Sequence, residues 1–123
     1  MKWFLVRYIY EIVCGEGNYR PQFDEQLRLM FAIDCNEAFL KAELAADNFY
    51  PPFENCYGEM VTWKFICIAD LHEIQTPEDG TEITSVMHEP IDVTAFLDQA
   101  EKRQAFLKER IQLTTTELDC FDN

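Results

Sequence analysis

The sequence has 123 residues, of which 48% are hydrophobic, 14% aromatic and 27% charged, and these values are typical of one compact soluble domain. Ten lysine and arginine residues face 23 aspartate and glutamate residues, so the net charge is −13. Because nucleic acids and anionic membrane surfaces attract cationic proteins, we expect neither as a partner. No apolar run approaches the roughly 20 residues that a membrane-spanning helix needs.

The acidic charge is concentrated in residues 65–101, which contain no lysine or arginine. A field of this sign favours basic partners or cations, although the same charge can serve solubility alone. The five cysteines form no Cys-x-x-Cys pair, and the N-terminus lacks the features of a signal peptide. We therefore predict a cytoplasmic protein with reduced thiols, and we expect Cys67 to be a small core residue of an apolar strand.

The first elements predicted are two antiparallel strands. Residues 2–13 are rich in aromatic and β-branched side chains, which favours a strand. Gly17-Asn18 then supplies a turn. Residues 25–33 alternate apolar and polar side chains, which is typical of a half-buried strand.

A helix is predicted next. Asp34 with Glu37 three residues later resembles a capping box, and an apolar stripe at helical spacing runs from Ala38 to Phe49. The helix should end at Tyr50-Pro51-Pro52, because the residue before a proline is driven out of the helical conformation.

A second hairpin and a second helix complete the chain. Residues 59–74 predict a strand, residues 76–80 a loop, and residues 81–89 its partner strand. A helix is predicted from Val93 to Gln112, with Asp92 or Thr94 as its cap. Residues 114–123 are predicted to be a flexible C-terminal tail.

The predicted order is thus β-β-α-β-β-α within a single domain, residues 1–113. It favours an α+β two-layer sandwich, with a mostly antiparallel four-stranded sheet and two helices on one face. The order is also a circular permutation of the ferredoxin-like pattern, but several topologies satisfy it.

Catalytic motifs are absent from the sequence. It contains no nucleophile elbow, no glycine-rich phosphate loop and no dinucleotide fingerprint, so we predict no catalytic residue and no cofactor. The pairs His72-Glu73 and His88-Glu89 could meet across a hairpin and bind a divalent metal. Because successive strand residues point to opposite faces, solvent-exposed strand residues are the favoured interpretation and no metal is predicted.

The most distinctive segment runs from Phe53 to Phe65. Asn55 can form an Asx turn, and Gly58 permits a tight turn into the strand. Glu59 and Trp63 then project from the strand, either as the rim of a pocket or as structural residues. The predicted ligand or partner contacts are Asn55, Glu59, Trp63, His72 and His88.

Three motifs together carry a family resemblance. They are Trp3-Phe4-x-Val6, Asn36-Glu37-Ala38 with Ala42, and Asn55-x-x-Gly58-Glu59-x-Val61-x-Trp63-x-Phe65. In these motifs, across residues 2–72, the chain resembles the bacterial DUF4288 family of unknown function. The resemblance implies a small cytosolic bacterial domain without an assigned activity and transfers no catalytic residue.

Two classes of function remain from the sequence. The favoured one is a non-enzymatic binding module that acts as a homodimer, because apolar residues occur on both faces of the strands while two helices can cover only one. A basic protein is the other candidate partner. The alternative is a small enzyme or a metal- or ligand-binding domain that uses the His-Glu pairs or the Trp63 region.

Overall fold

A computed structural model of the chain describes residues 1–111, which form two compact units, Met1–Ser85 and the part that begins at Val86. The first unit contains the strands β1 (Lys2–Cys14), β2 (Gln22–Ala32), β3 (Phe53–Glu54) and β4 (Met60–Ile74), the helix α1 (Cys35–Ala45) and a 3₁₀ turn (Ala46–Asn48). The second contains the helix α2 (Val93–Ile111). That residues 1–113 form one domain stays a prediction, and the predicted tail, residues 114–123, lies outside the described residues.

The four strands form one antiparallel sheet in the order β2-β1-β4-β3. The α+β class and the order β-β-α-β-β-α are confirmed. Helix α1 connects the two edge strands, β2 and β3, which are separated in the sheet by β1 and β4. This differs from the permuted ferredoxin-like topology, because a split βαβ unit has only one intervening strand.

The fourth strand is not the one predicted. Residues 81–89 are not a strand, and the short β3 takes the place in the sheet that they were expected to fill. Among the described residues, no backbone group of residues 82–89 bonds to the backbone of β4, whereas the preceding loop bonds to itself: Thr81 donates its N–H to the Glu78 carbonyl, and its hydroxyl contacts the Glu78 N–H and the Thr76 carbonyl. An alternating pattern makes a strand only where a neighbouring backbone pairs with it.

The core of the first unit lies between α1 and the inner face of the sheet. The alanines Ala38, Ala42 and Ala46 are fully buried, and their small size lets the helix approach β1 closely. Tyr8 consequently donates its hydroxyl hydrogen to the Ala42 carbonyl at 2.7 Å, and Tyr10 does the same to the Ala46 carbonyl. Burial raises the pKa of Tyr8 to about 12.

The start of α1 is as predicted. Asp34 caps the helix by accepting a hydrogen bond from the Glu37 N–H at 2.9 Å.

Two register shifts change which side chains of β4 face the core. The pairing of β4 with β1 is irregular between Arg7 and Tyr8 and again between Ile9 and Tyr10. Each shift inserts an extra residue, so the alternation of faces changes phase. Ile68 therefore packs against the core, whereas Cys67 pairs with Ile9 and is exposed. The prediction that Cys67 is a core residue is wrong for this reason.

The second unit contains α2, and no residue of this helix is buried. Asp92 is its cap, since its carboxylate accepts a hydrogen bond from the Ala95 N–H at 3.0 Å. The helix boundaries agree with the prediction as far as residue 111. The expected position of α2 on the sheet stays a prediction. Neither helix of residues 1–111 combines the length and the hydrophobicity that a membrane-spanning segment needs.

Candidate functional site

Asn55 builds the turn between β3 and β4. Its side-chain oxygen accepts hydrogen bonds from the N–H groups of Tyr57 and Glu59, at 2.9 and 3.0 Å. The Gly58 N–H donates to the Asn55 carbonyl at 3.1 Å, and Gly58 has a φ of 77°, which favours glycine. The side-chain oxygen of Asn55 is therefore occupied by the backbone of its own turn, as an Asx turn requires.

Glu59 ties the connection between β1 and β2 to the beginning of β4. Tyr19 lies in that connection and donates its hydroxyl hydrogen to the Glu59 carboxylate, with distances of 2.7 and 2.9 Å to the two oxygens. This hydrogen bond raises the pKa of Tyr19. Gly15 fits against the same carboxylate, because a Cβ at this position would lie 2.8 Å from Oε2.

A cleft of about 380 Å³, here called the loop cleft, adjoins these residues. Its lining consists of Cys14, Tyr19, Arg20, Gln22, Asn55, Tyr57 and Glu59. The structure thus brings together two of the predicted contact residues, Asn55 and Glu59, while Trp63 is outside the lining. No histidine lines the cleft, so the histidine base that activates cysteine in many thiol enzymes is missing there.

Trp63 belongs to an aromatic cluster of the first unit. Its ring stacks on Tyr50 with centroids 5.1 Å apart and contacts Phe53 at 5.8 Å. Its indole N–H donates to an Asp24 carboxylate oxygen at 3.1 Å. Because the ring and its polar atom contact the protein's own side chains, these contacts favour the structural interpretation of Trp63.

A row of polar side chains begins at Asp24 and runs along the inner face of β2. Gln26 donates to Asp24 at 2.7 Å, and Arg28 donates from two nitrogens to the Gln26 oxygen, at 3.1 and 3.2 Å. The Arg28 guanidinium lies 3.7 Å from the ring centre of Phe49. We call Asp24, Gln26 and Arg28 the polar ladder; all three are half-buried.

The other face of β2 is exposed and mostly apolar, apart from Glu25, whose carboxylate pairs with Arg7 at 3.2 Å. Its apolar residues Phe23, Leu27, Leu29 and Phe31, here called the apolar row, are 61%, 43%, 42% and 38% exposed. Phe31 contacts the half-buried Trp3 on β1, with ring centres 4.7 Å apart. The sequence already showed this alternation. It did not show that the polar set would face the helix and the apolar set would face outward.

His72 lies beside a hollow of about 570 Å³ in the first unit. Its Nδ1 is 3.7 Å from an Asp70 oxygen, and its Nε2 is 3.4 Å from the Ile83 carbonyl. His88 is in the second unit, where its ring lies 5.2 Å from that of Phe96. Since residues 81–89 form no strand, the hairpin that was to bring the two His-Glu pairs together does not exist.

The metal-binding side chains of residues 1–111 form no group of three or more that could hold an ion. The residues that sequence analysis missed are Tyr19, Arg20, the polar ladder and the apolar row. Only the apolar row left a usable signal, namely strict alternation. The contacts of Tyr19 and Asp24 depend on the folded connection and on the sheet order, neither of which leaves a periodic signal.

Comparison with known proteins identifies one family. The family model of DUF4288, described as a domain of unknown function, matches residues 3–85. No curated protein and no solved structure matches the chain.

Proposed function

The chain belongs to the DUF4288 family, and we propose that its domain is a non-enzymatic interaction module that acts as a homodimer in the cytoplasm. The matched region contains α1 and all of the sheet except Lys2, the first residue of β1. The proposal therefore concerns the surface of this sheet.

The observation that carries the proposal is the exposed apolar row of β2. Four large apolar side chains, Phe23, Leu27, Leu29 and Phe31, lie along one strand face, and Trp3 extends the patch onto β1. Monomers rarely expose contiguous apolar patches of several hundred square ångströms, so a patch of this kind marks an interaction surface. A two-fold pairing is the simplest way to reduce this exposure, because one patch then serves both copies.

A copy of the same chain is favoured over a basic partner by the character of this surface. The apolar row offers apolar contacts, whereas a basic protein would be recognised mainly by carboxylates. The net charge of −13 on each chain opposes self-association. Because salt screens repulsion between distant charges, the dimer should tighten as ionic strength rises.

Sedimentation equilibrium tests the proposal. We expect the mass of two chains at micromolar concentration and moderate salt. Leu29→Gln should shift the protein towards monomer, whereas Ile66→Gln should not, although Ile66 on β4 is equally exposed at 44%. The mass of one chain at every concentration would rule out the homodimer.

A further inference from the structure

β2 lies at the edge of the sheet, so half of its backbone N–H and C=O groups point outward. The hydrogen bonding of β1 shows which residues carry these groups. The Gly15 N–H donates to the Met60 carbonyl at 2.8 Å, so the odd-numbered residues at the end of β1 point their backbone groups towards β4. Backbone groups of successive strand residues alternate between the two sides. The even-numbered residues of β1 therefore point towards β2.

The pairing of β1 with β2 shows which residues of β2 point their backbone groups towards β1. Tyr8 pairs with Gln26 and Val6 with Arg28, so the even-numbered residues of β2 bond to β1 and the odd-numbered ones point to the outer edge. An independent contact agrees: the Phe31 carbonyl is free to accept a hydrogen bond from the Lys41 ammonium at 2.9 Å. Lys41 thus caps one end of the edge, and the outward backbone groups of Phe23, Glu25, Leu27 and Leu29 have no hydrogen-bond partner among residues 1–111.

The edge of β2 lacks three of the devices that prevent strand pairing, although it does carry two inward-facing charged residues, Asp24 and Arg28. Residues 22–32 contain no proline and no lysine, and they pair with β1 without a register shift. In contrast, β4 carries two register shifts, and β3 covers one end of it. Since bulges, prolines and lysines are what normally blunt sheet edges, β2 is the edge suited to pairing.

We propose that β2 pairs antiparallel with β2 of a second copy, in the register that places Gln26 on the two-fold axis. This inference rests on the proposed homodimer and specifies its interface. In that register Asp24 of each copy faces Arg28 of the other, at both ends of a joined polar ladder. On the opposite face, Leu29 pairs with Phe23 and Leu27 with Glu25, so the two apolar rows lie side by side and each covers a flank of the other, which reduces their exposure without burying them completely.

The neighbouring registers are less favourable. A two-fold axis through Leu27 would require the Phe31 backbone, whose carbonyl Lys41 occupies, and would place Asp24 against Met30. An axis through Glu25 would set two carboxylates against each other. The axis through Gln26 avoids both problems and adds two pairs of opposite charge.

Charge reversal in the full chain tests this pairing. Asp24→Arg and Arg28→Asp each place like charges opposite one another in a homodimer, so each variant alone should dissociate at least tenfold more readily than wild type. An equimolar mixture should restore wild-type affinity, because every facing pair is then of opposite sign. Restoration also shows that the variants fold, and circular dichroism of each variant checks this independently. If wild type is dimeric but the folded variants dimerise normally or the mixture stays monomeric, the pairing is wrong.

Crosslinking tests the register. In a background whose native cysteines are changed to serine, and which sediments as a dimer, Gln26→Cys should form a disulfide-linked dimer on mild oxidation. Cα atoms opposite each other in a non-hydrogen-bonded pair lie about 4.5 Å apart. Leu27→Cys should crosslink at least tenfold more slowly. Faster crosslinking of Leu27→Cys, or none of Gln26→Cys, overturns this register while leaving the homodimer intact. A monomeric wild type would instead refute the proposed function itself.

Discussion

The two strands that flank β1 differ in how regularly they pair with it. β2 pairs over eleven residues, from Lys2–Ala32 to Ile12–Gln22, without a shift. β4 pairs over a similar length but changes register twice. Regular alternation therefore gives β2 two distinct faces and an edge that can pair again, whereas the two register shifts in β4 mix its faces and disrupt its edge.

The prediction with the largest effect tests whether the register shifts in β4 change which side chains face the core. Ile66 and Ile68 occupy the same face in a regular strand, but only Ile68 packs against the core. Ile68→Ala should lower the free energy of unfolding by about 1–2 kcal/mol, because it removes methyl groups that pack against the core but are only half-buried. Urea unfolding followed by circular dichroism measures this.

Ile66→Ala is the matched control, with an expected loss below about 0.5 kcal/mol, since surface substitutions rarely cost more. Equal losses in the two variants would mean that β4 keeps a regular alternation through this region.

The same contrast explains how much the sequence could predict. The ranges of β1, β4 and, as far as residue 111, α2 followed from propensity and local chemistry, as did the start and the cap of α1, although α1 ends at Ala45 and gives way to a 3₁₀ turn before the predicted end at Tyr50. The phase of β4 beyond Phe65 did not, because an inserted residue leaves no mark in a chain of mostly apolar side chains. Residues 81–89 alternate but lack a partner strand, and β3 is too short to show a period.

The candidate site was predictable only in part. Asn55 performs the turn chemistry expected of it, because an Asx turn depends on neighbouring residues alone. Tyr19 reaches Glu59 across 40 residues, and Asp24 reaches Trp63 across 39. Contacts at such separations depend on sheet order, which several topologies left open.

A smaller effect concerns β1, the strand between the two compared. Tyr8→Phe removes a buried hydrogen bond and should cost about 1 kcal/mol at neutral pH. Tyr8 has a pKa near 12 when folded, against 10.0 for an unperturbed tyrosine. Between these values the unfolded chain has lost the proton that the folded chain retains, so stability falls as pH rises from 10 towards 12.

Urea unfolding at pH 9, 10 and 11 measures this decline, and Tyr8→Phe should make it shallower. Tyr57→Phe is the control because Tyr57 is 84% exposed, and its unfolding free energy at neutral pH should stay within about 0.5 kcal/mol of wild type. An undiminished decline in Tyr8→Phe would show that another group, such as Tyr10, governs stability in this range.

The last prediction has the smallest effect and concerns the polar face that β2 turns towards the helix. Arg28 shields the edge of the core there, because its planar guanidinium lies on the Phe49 ring and donates hydrogen bonds to Gln26. Lysine keeps the charge but has neither the flat surface nor the fork of donors, so Arg28→Lys should cost about 0.5–1 kcal/mol. Arg20→Lys, in the exposed connection, is the control and should change nothing measurable. Measurement at a concentration where the protein is monomeric separates this effect from pairing between copies. If Arg28→Lys is neutral there, the stack does not stabilise the fold, and the polar face of β2 is explained by its surroundings in the dimer alone.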